Sequence, residues 1–259
     1  MNPREEWSLP TRHVGRHVLV YDSVDSTNTV AAALSSDPDN AGTVVLAAEQ
    51  TAGRGQHGRQ WECPAGAGVL MSVLLFPPPH LRCPAILTAW AAVSVCETIR
   101  HVTGLQARIK WPNDVLIRGK KVCGILIEQG AATVAGIGLN VNQPAQAFNA
   151  PGLTDGRSLR LFTGTTHDCA DVARLLVAQL DEEYQRLVQG DLATLEACWK
   201  WRLGLLGRRV AVECVDRVYY GRLRDVAFAG LHLKSDDGKN LHLTPESVQH
   251  LEPAGNISS

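Results

Sequence analysis

The sequence predicts a mixed main domain, α/β or α+β with hairpin-joined strands, followed by a small β-barrel. Three observations carry that reading. Between Thr43 and Asn142, apolar runs of strand length follow one another over short turns, without the regular strand–helix alternation of a doubly wound sheet. Three longer stretches, 84–102, 171–188 and 192–203, have helical length. From Gly207 onward, short alternating strands recur at even spacing, as they do in small barrels. The change of texture puts a domain boundary near Leu205, giving a main domain over 1–205 and a barrel over 206–259.

The elements follow in order. Residues 1–20 read as a lead-in without a repeat. Asp25, Ser26, Thr27 and Asn28 stand before Val30-Ala31-Ala32-Ala33-Leu34, the composition of a capped helix start. Thr43–Ala48 is a β-type run ending at Glu49 and Gln50, and a glycine-rich loop follows. Val69–Phe76 is a buried-type strand stopped by Pro77, Pro78 and Pro79. The helix over 84–102 has Pro84 in its first turn and Gly104 just past its end. Then come short strands at 107–110, 115–117 and 122–128, the last two joined by a turn at Arg118-Gly119-Lys120, and an apolar strand from Thr133. The last residues, Ala254–Ser259, read as a frayed end.

Composition excludes several classes. The net charge is −1 and there is no basic tail or Lys/Arg run, so no nucleic-acid footprint is present. The longest apolar stretch, Ile86–Cys96, is broken by Thr88 and Ser94, far short of the ~18–20 apolar residues of a bilayer span. The N-terminus has acidic residues and no apolar h-region, unlike a signal peptide. Seven cysteines, an odd number without a C-x-x-C pair, point to reduced thiols in a cytoplasmic protein rather than to disulfides or zinc.

Gly53-Arg54-Gly55-Gln56-His57-Gly58 matches G-x-G-x-x-G, but no helix follows and Val73 stands where a dinucleotide fold would place its acid. No Gly-Lys-Ser/Thr closes it as a P-loop. Peptide N–H groups freed by the glycines, with Arg54 and Arg59, suit a phosphate or a carboxylate. A plain surface turn has the same composition. In Lys110-Trp111-Pro112-Asn113-Asp114 the proline interrupts a strand and leaves Asn113 and Asp114 on a turn. Lys121 opens a strongly apolar strand, as a pocket-facing point charge or as an ordinary hairpin cation. Gly136 and Gly138 weaken the next strand, which ends Asn140-Val141-Asn142; close passage of a ligand and a simple bulge both account for them.

Four segments in this order resemble the biotin–protein ligase family: Asp25–Asn28, Glu49–Trp61, Lys110–Asp114 with Lys121–Glu128, and Gly136–Asn142. The resemblance implies a mixed sheet flanked by helices, of the class II aminoacyl-tRNA synthetase and biotin-ligase type, with a C-terminal SH3-like barrel. About two dozen residues precede the first motif, so it implies the form without a helix-turn-helix repressor domain. It implies activation of biotin by ATP and Mg²⁺ to biotinyl-5'-AMP, then transfer to one lysine of a biotin carboxyl carrier protein or domain, and it admits a homodimer.

By position, Ser26, Thr27, Asn28 and Gln50 would line the biotin site, and Gly124 and Gly136 would let backbone approach biotin. Lys121 would bond the biotin carboxylate, and Gly53, Arg54, Gly55 and Gln56 would fold over biotin and the adenylate. Lys110, Asn113, Asp114 and Asn140, with Arg54, Arg59 and Trp61, would serve ATP, Asp114 being the residue put forward for Mg²⁺. Gln56 departs from the pattern: relatives commonly have a basic residue there that helps retain the adenylate, which implies looser retention here.

A carboxylate attacking the α-phosphate of ATP brings two anions together, so positioned cations lower the barrier; Arg54 and Lys121 are the catalytic candidates. No His/Asp dyad stands near the motifs to serve as general base for transfer. Lipoate or octanoate transfer is the nearest rival reading, a non-catalytic adenylate sensor the rival from another class.

Overall fold

The computed structural model describes residues 2–255. The expected frayed end at Ala254–Ser259 falls mostly on residues outside that range.

Eight strands form one mixed sheet: β1 (Glu5–Trp7), β2 (Val18–Val24), β3 (Val44–Gln50), β4 (Gly68–Leu75), β5 (Arg108–Lys110), β6 (Asp114–Ile117), β7 (Lys120–Gln129) and β8 (Thr133–Asn140). Their spatial order is β1-β2-β3-β4-β8-β7-β6-β5. Among the described strands of this sheet, only β2 and β3 pair in parallel, joined through helix α1 (Thr27–Ala33). The other pairs are antiparallel, which explains the missing strand–helix alternation. The β6–β7 turn has both Arg118 (φ 49°) and Gly119 (φ 78°) in the left-handed region, as a two-residue hairpin of this twist requires.

Both faces of the sheet are covered. On one side, strand residues such as Val18, Val20, Val44, Leu46, Ile137 and Leu139 pack on α2 (Pro84–Thr103) and the helices around it. Helix α2 is buried almost all round because α4 (Cys169–Val188) and α5 (Leu192–Leu203) lie outside it. Trp90 Nε1 donates to Leu180 O at 2.9 Å, tying α2 to α4. On the other side the alternate residues Leu19, Tyr21, Val45, Ala47, Leu74 and Val134 pack under α1 alone. Helix α1 is short, so it covers only part of that face and leaves the rest for a site.

The lead-in holds a finding that the sequence reading did not anticipate. Residues 1–20 read as a lead-in without a repeat, yet β1 pairs with β2 and β2 begins at Val18. The connecting turn is fixed by one carboxylate: Asp181 of α4, buried, accepts from the backbone N–H groups of Arg12 (2.9 Å), His13 (2.6 Å) and Val14 (2.8 Å).

After the short helix α3 (Leu159–Thr163) and helices α4 and α5, five strands form a second antiparallel sheet of the SH3-like kind: β9 (Arg209–Cys214), β10 (Val218–Ala227), β11 (Gly230–Ser235), β12 (Asn240–Leu243) and β13 (Val248–Pro253), in the order β12-β11-β10-β9-β13. It docks on the turn between β5 and β6. Trp111 Nε1 donates to Val248 O at 3.1 Å, and Lys110 Nζ lies 3.8 Å from Glu252 Oε2. Trp111, Trp199 and Phe228 pack in series between the two sheets, with centroid separations of 5.8 and 5.1 Å. Among the described residues, no helix is long and apolar enough to cross a membrane.

Asp181→Ala strands three backbone donors in the protein interior, where each lost charge-assisted bond matters more than a surface one. A loss of about 2–4 kcal/mol in urea unfolding is expected, with Asp181→Asn intermediate. A change within about 0.5 kcal/mol would show that this turn holds itself.

Candidate active site

The uncovered sheet face has glycines at its centre. Along β8 the residues on the α1 side are Val134, Gly136, Gly138 and Asn140, and β7 sets Gly124 opposite Gly138 and Leu126 opposite Gly136. Two rows of the sheet thus pass from core to bare backbone within two residues. Neighbouring groups fill the space. A Cβ on Gly136 would lie 2.3 Å from Asn28 Oδ1, one on Gly138 2.3 Å from Trp61 Cε2, and one on Gly124 2.8 Å from Trp61 Cζ3. The glycines that the sequence reading left open between bulge and close approach are therefore close-approach positions, occupied here by an amide and an indole.

Above this floor lies a cavity of about 650 Å³. Every candidate named from the sequence borders it: Ser26, Thr27, Asn28, Gln50, Gly53, Arg54, Gly55, Gln56, Arg59, Trp61, Lys110, Asn113, Asp114, Lys121, Gly124, Gly136 and Asn140. Four segments far apart in sequence converge because α1, the loop after β3, the β5–β7 turns and β8 all meet at one face.

One end is polar and uncharged. Ser26 sits at the N-cap of α1 but makes no side-chain cap. Gln50, at the end of β3, replaces it: its Oε1 accepts from Thr27 N at 2.7 Å and from Thr27 Oγ1 at 2.9 Å. Ser72, fully buried on β4, bonds Thr27 Oγ1 and Asn28 Oδ1. Asn28 Nδ2 then donates to Glu128 Oε2 at 2.6 Å. Gln50, Thr27, Asn28 and Ser72 are held by one another, so a ligand meets fixed geometry there rather than free rotors.

The other groups are charged, and three of the expected cations, Arg54, Lys110 and Lys121, face carboxylates. Lys121 Nζ lies 2.6 Å from Asp114 Oδ1 and 5.7 Å from the centre of the Trp61 ring. Arg54 Nη2 lies 3.0 Å from Glu128 Oε2, and its Nη1 donates to Thr29 Oγ1 at 2.8 Å. Burial would raise the Glu128 pKa, but hydrogen bonds from Arg54 and Asn28 and the charge of Arg54 outweigh it and hold the carboxyl below its ordinary range. The glycine loop returns on itself as a small hairpin: Gly55 N donates to Arg59 O at 2.7 Å and Trp61 N to Gly53 O at 3.0 Å. His57 (φ 55°) and Gly58 (φ 73°) form its tip. Arg59 is exposed at the rim.

Sequence reasoning missed several groups of the site. Ser72, one hydroxyl in an apolar strand, supports Thr27 and Asn28 from the core. Gln143, almost fully buried, follows directly on the last motif and donates to Asn140 Oδ1 at 2.8 Å. Ala147, Phe148, Leu153 and Gly156 come from a segment without a motif, and His250 arrives from the second sheet. Asn142, within a motif, faces away: it bonds the backbone of His167 beside the start of α4. Cys63 borders the cavity, but burial, opposed by a hydrogen bond from Gln143 and reinforced by nearby Cys169, pushes its thiol to about 12.

Comparison with known proteins follows the same segments. Residues 20–142 match the model of the Biotin/lipoate A/B protein ligase family. The chain is 36% identical over 230 residues to a biotin–[acetyl-CoA-carboxylase] ligase of Paracoccus denitrificans, covering 84% of this chain and 94% of that protein. It is 30% identical to the ligase of the same name from Mycobacterium tuberculosis, over 96% of both. A biotin protein ligase from Aquifex aeolicus, in complex with biotin and ATP, superposes with a TM-score of 0.78 at 25% identity, covering 92% of this chain and 99% of that one.

Gly138→Ala must move the Trp61 indole off the floor. It is expected to cost about 1–3 kcal/mol in urea unfolding, as overpacking does, and an unchanged midpoint would mean that the ring pivots freely. Cys63 is expected to resist iodoacetamide at pH 8, with thiolate on the order of 10³-fold scarcer than for a free cysteine. Peptide mapping that finds Cys63 alkylated as fast as exposed Cys198 would contradict its burial.

Proposed function

This chain belongs to the biotin–protein ligase family, and from that membership and its cavity we propose how its residues carry the reaction. The protein activates biotin with ATP as biotinyl-5'-AMP and transfers the biotinyl group to a lysine of a carboxylase's biotin carrier domain. The observation that carries the reading is the convergence on one bare sheet floor of an uncharged hydrogen-bonding end and a group of lysines and arginines.

The uncharged end, Ser26, Thr27, Asn28 and Gln50, suits the biotin ureido group, which offers one carbonyl acceptor and two N–H donors. Gly136, and Gly124 opposite Gly138, keep the floor low enough for the bicyclic ring. Lys121 takes the carboxylate. Its present partner Asp114 holds the ammonium at the cavity wall, and an incoming carboxylate shares it. Trp61, Lys110, Asn113, Arg59 and Asn140 serve ATP, the indole supplying a flat apolar face for the base. Gly53, Arg54, Gly55 and Gln56 lie over the reacting atoms, where the loop keeps water from the mixed anhydride.

Mg²⁺ binds through one or two carboxylates plus substrate phosphates rather than in an all-protein cage. Asp114 offers a half-buried carboxylate at the cavity wall and would hold the ion. When bound, Mg²⁺ would offset charge on the triphosphate.

For the acceptor, a second groove of about 810 Å³ opens beside the glycine loop, lined by Pro112, Leu126, Ile127, Val215, Pro245 and Val248 among others. The pairing of β6 with β7 stops at Gly124, so among the described residues β7 from Leu126 onward offers a backbone edge there. A carrier strand adding to that edge would bring its lysine to the loop. The division into a main domain to residue 205 and a barrel from 206 fits the end of α5 at Leu203 and the start of β9 at Arg209.

The test is pyrophosphate release from Mg-ATP with biotin, lipoate or octanoate as the only acid, with an apo carrier domain present. Biotin alone is expected to support release and carrier labelling. Release with lipoate instead would move the chain to the sister activity. Lys121→Ala and Arg54→Ala are each expected to lower turnover at saturating substrate by roughly 10²–10³-fold, and near-normal turnover in either variant would remove that residue from the catalytic set.

A further inference from the structure

Glu128 has no assigned part in the chemistry, yet its position is unusual. One oxygen, Oε2, accepts from Asn28 Nδ2 at 2.6 Å and from Arg54 Nη2 at 3.0 Å. The two donors come from opposite parts of the site. Asn28 is buried in the first turn of α1, on the uncharged floor, and Arg54 stands near the start of the glycine loop. Glu128 itself lies near the end of β7, on the same face of that strand as Gly124, and it borders the groove beside the β7 edge.

We propose that Glu128 is a positioning residue that latches the glycine loop to the acid pocket: by binding Arg54 and Asn28 on one oxygen, it holds the loop closed over the acyl adenylate and limits its escape. This rests on the ligase reading of the site. The charge matters as well as the geometry. Arg54 carries a permanent cation, so a neutral group of the same shape would keep the bond to Asn28 and lose most of the hold on the loop. Gln56 gives this loop no cation at the position next but one, which leaves the Arg54–Glu128 pair, among the described residues, as its charged tie to the sheet. The two side chains are 43% and 40% exposed, so the tie is one that solvent screens and that opens readily.

The test is hydrogen–deuterium exchange of the segment 53–60 in the full chain without ligand, for wild type, Glu128→Gln and Glu128→Ala. Asp171→Asn, which breaks a comparable exposed pair with Arg174 on α4, is the control. Both Glu128 variants are expected to exchange roughly 1.5–5-fold faster in that segment, and the control to match wild type. Pyrophosphate released per biotin transferred is expected to rise by a similar factor in both, a ratio that a merely destabilised fold does not change. Unchanged exchange in Glu128→Ala overturns the latch. Wild-type behaviour of Glu128→Gln overturns the part played by charge. Faster exchange with an unchanged ratio overturns the link to retention. If wild type releases no pyrophosphate with biotin, the ligase reading falls, while the exchange result still decides whether Glu128 holds the loop.

Discussion

The site depends on a steric constraint: three neighbouring positions of the sheet must carry no side chain. Gly124, Gly136 and Gly138 lie together on the face that α1 leaves uncovered, and a single methyl on either of the last two would overlap Asn28 or Trp61. Glycine in a strand weakens it. The loss is tolerable here because these glycines lie where β7 and β8 are paired on both sides, backed by Cys123, Ile125, Ile137 and Leu139 in the main core. The floor can be bare because its underside is dense.

Electrostatics is arranged on the same principle of prior commitment. Arg54, Lys110 and Lys121 each face a carboxylate: Glu128, Glu252 and Asp114. A site meant for a triphosphate and a carboxylate would repel itself if its cations stood unpaired. The carboxylates keep them close and oriented, and the pairs are exposed enough that an anionic ligand competes for them.

Much of this was legible in the sequence because the site residues sit in short segments that break local rules. Glycines inside an apolar strand, a Trp-Pro-Asn-Asp run and a glycine loop leading into no helix each admit an ordinary structural reading, but their order along the chain resembles one family. The groups that escaped notice break no rule. Ser72 is one hydroxyl in an apolar strand, Glu128 stands near a strand end as many charges do, and His250 belongs to another sheet, so that only tertiary folding brings it near. The β1–β2 pair was missed because a short edge strand beginning Glu5-Glu6 has no apolar alternation, its charges being what protects such an edge. The cap of α1 was assigned to the right segment, but the group that satisfies Thr27 N is Gln50, from the end of β3.

The docking of the second sheet has a consequence for how the protein is made. The carbonyl that takes Trp111 Nε1 and the carboxylate beside Lys110 both belong to β13, the last strand described. A nascent chain emerges from the ribosome N-terminus first, and its domains fold as they appear. The large sheet and its floor can therefore assemble while the turn bearing Trp111 still lacks its far support. The wall of the cavity that carries Lys110 and Trp111 therefore gains its far support only once β13 has left the ribosome.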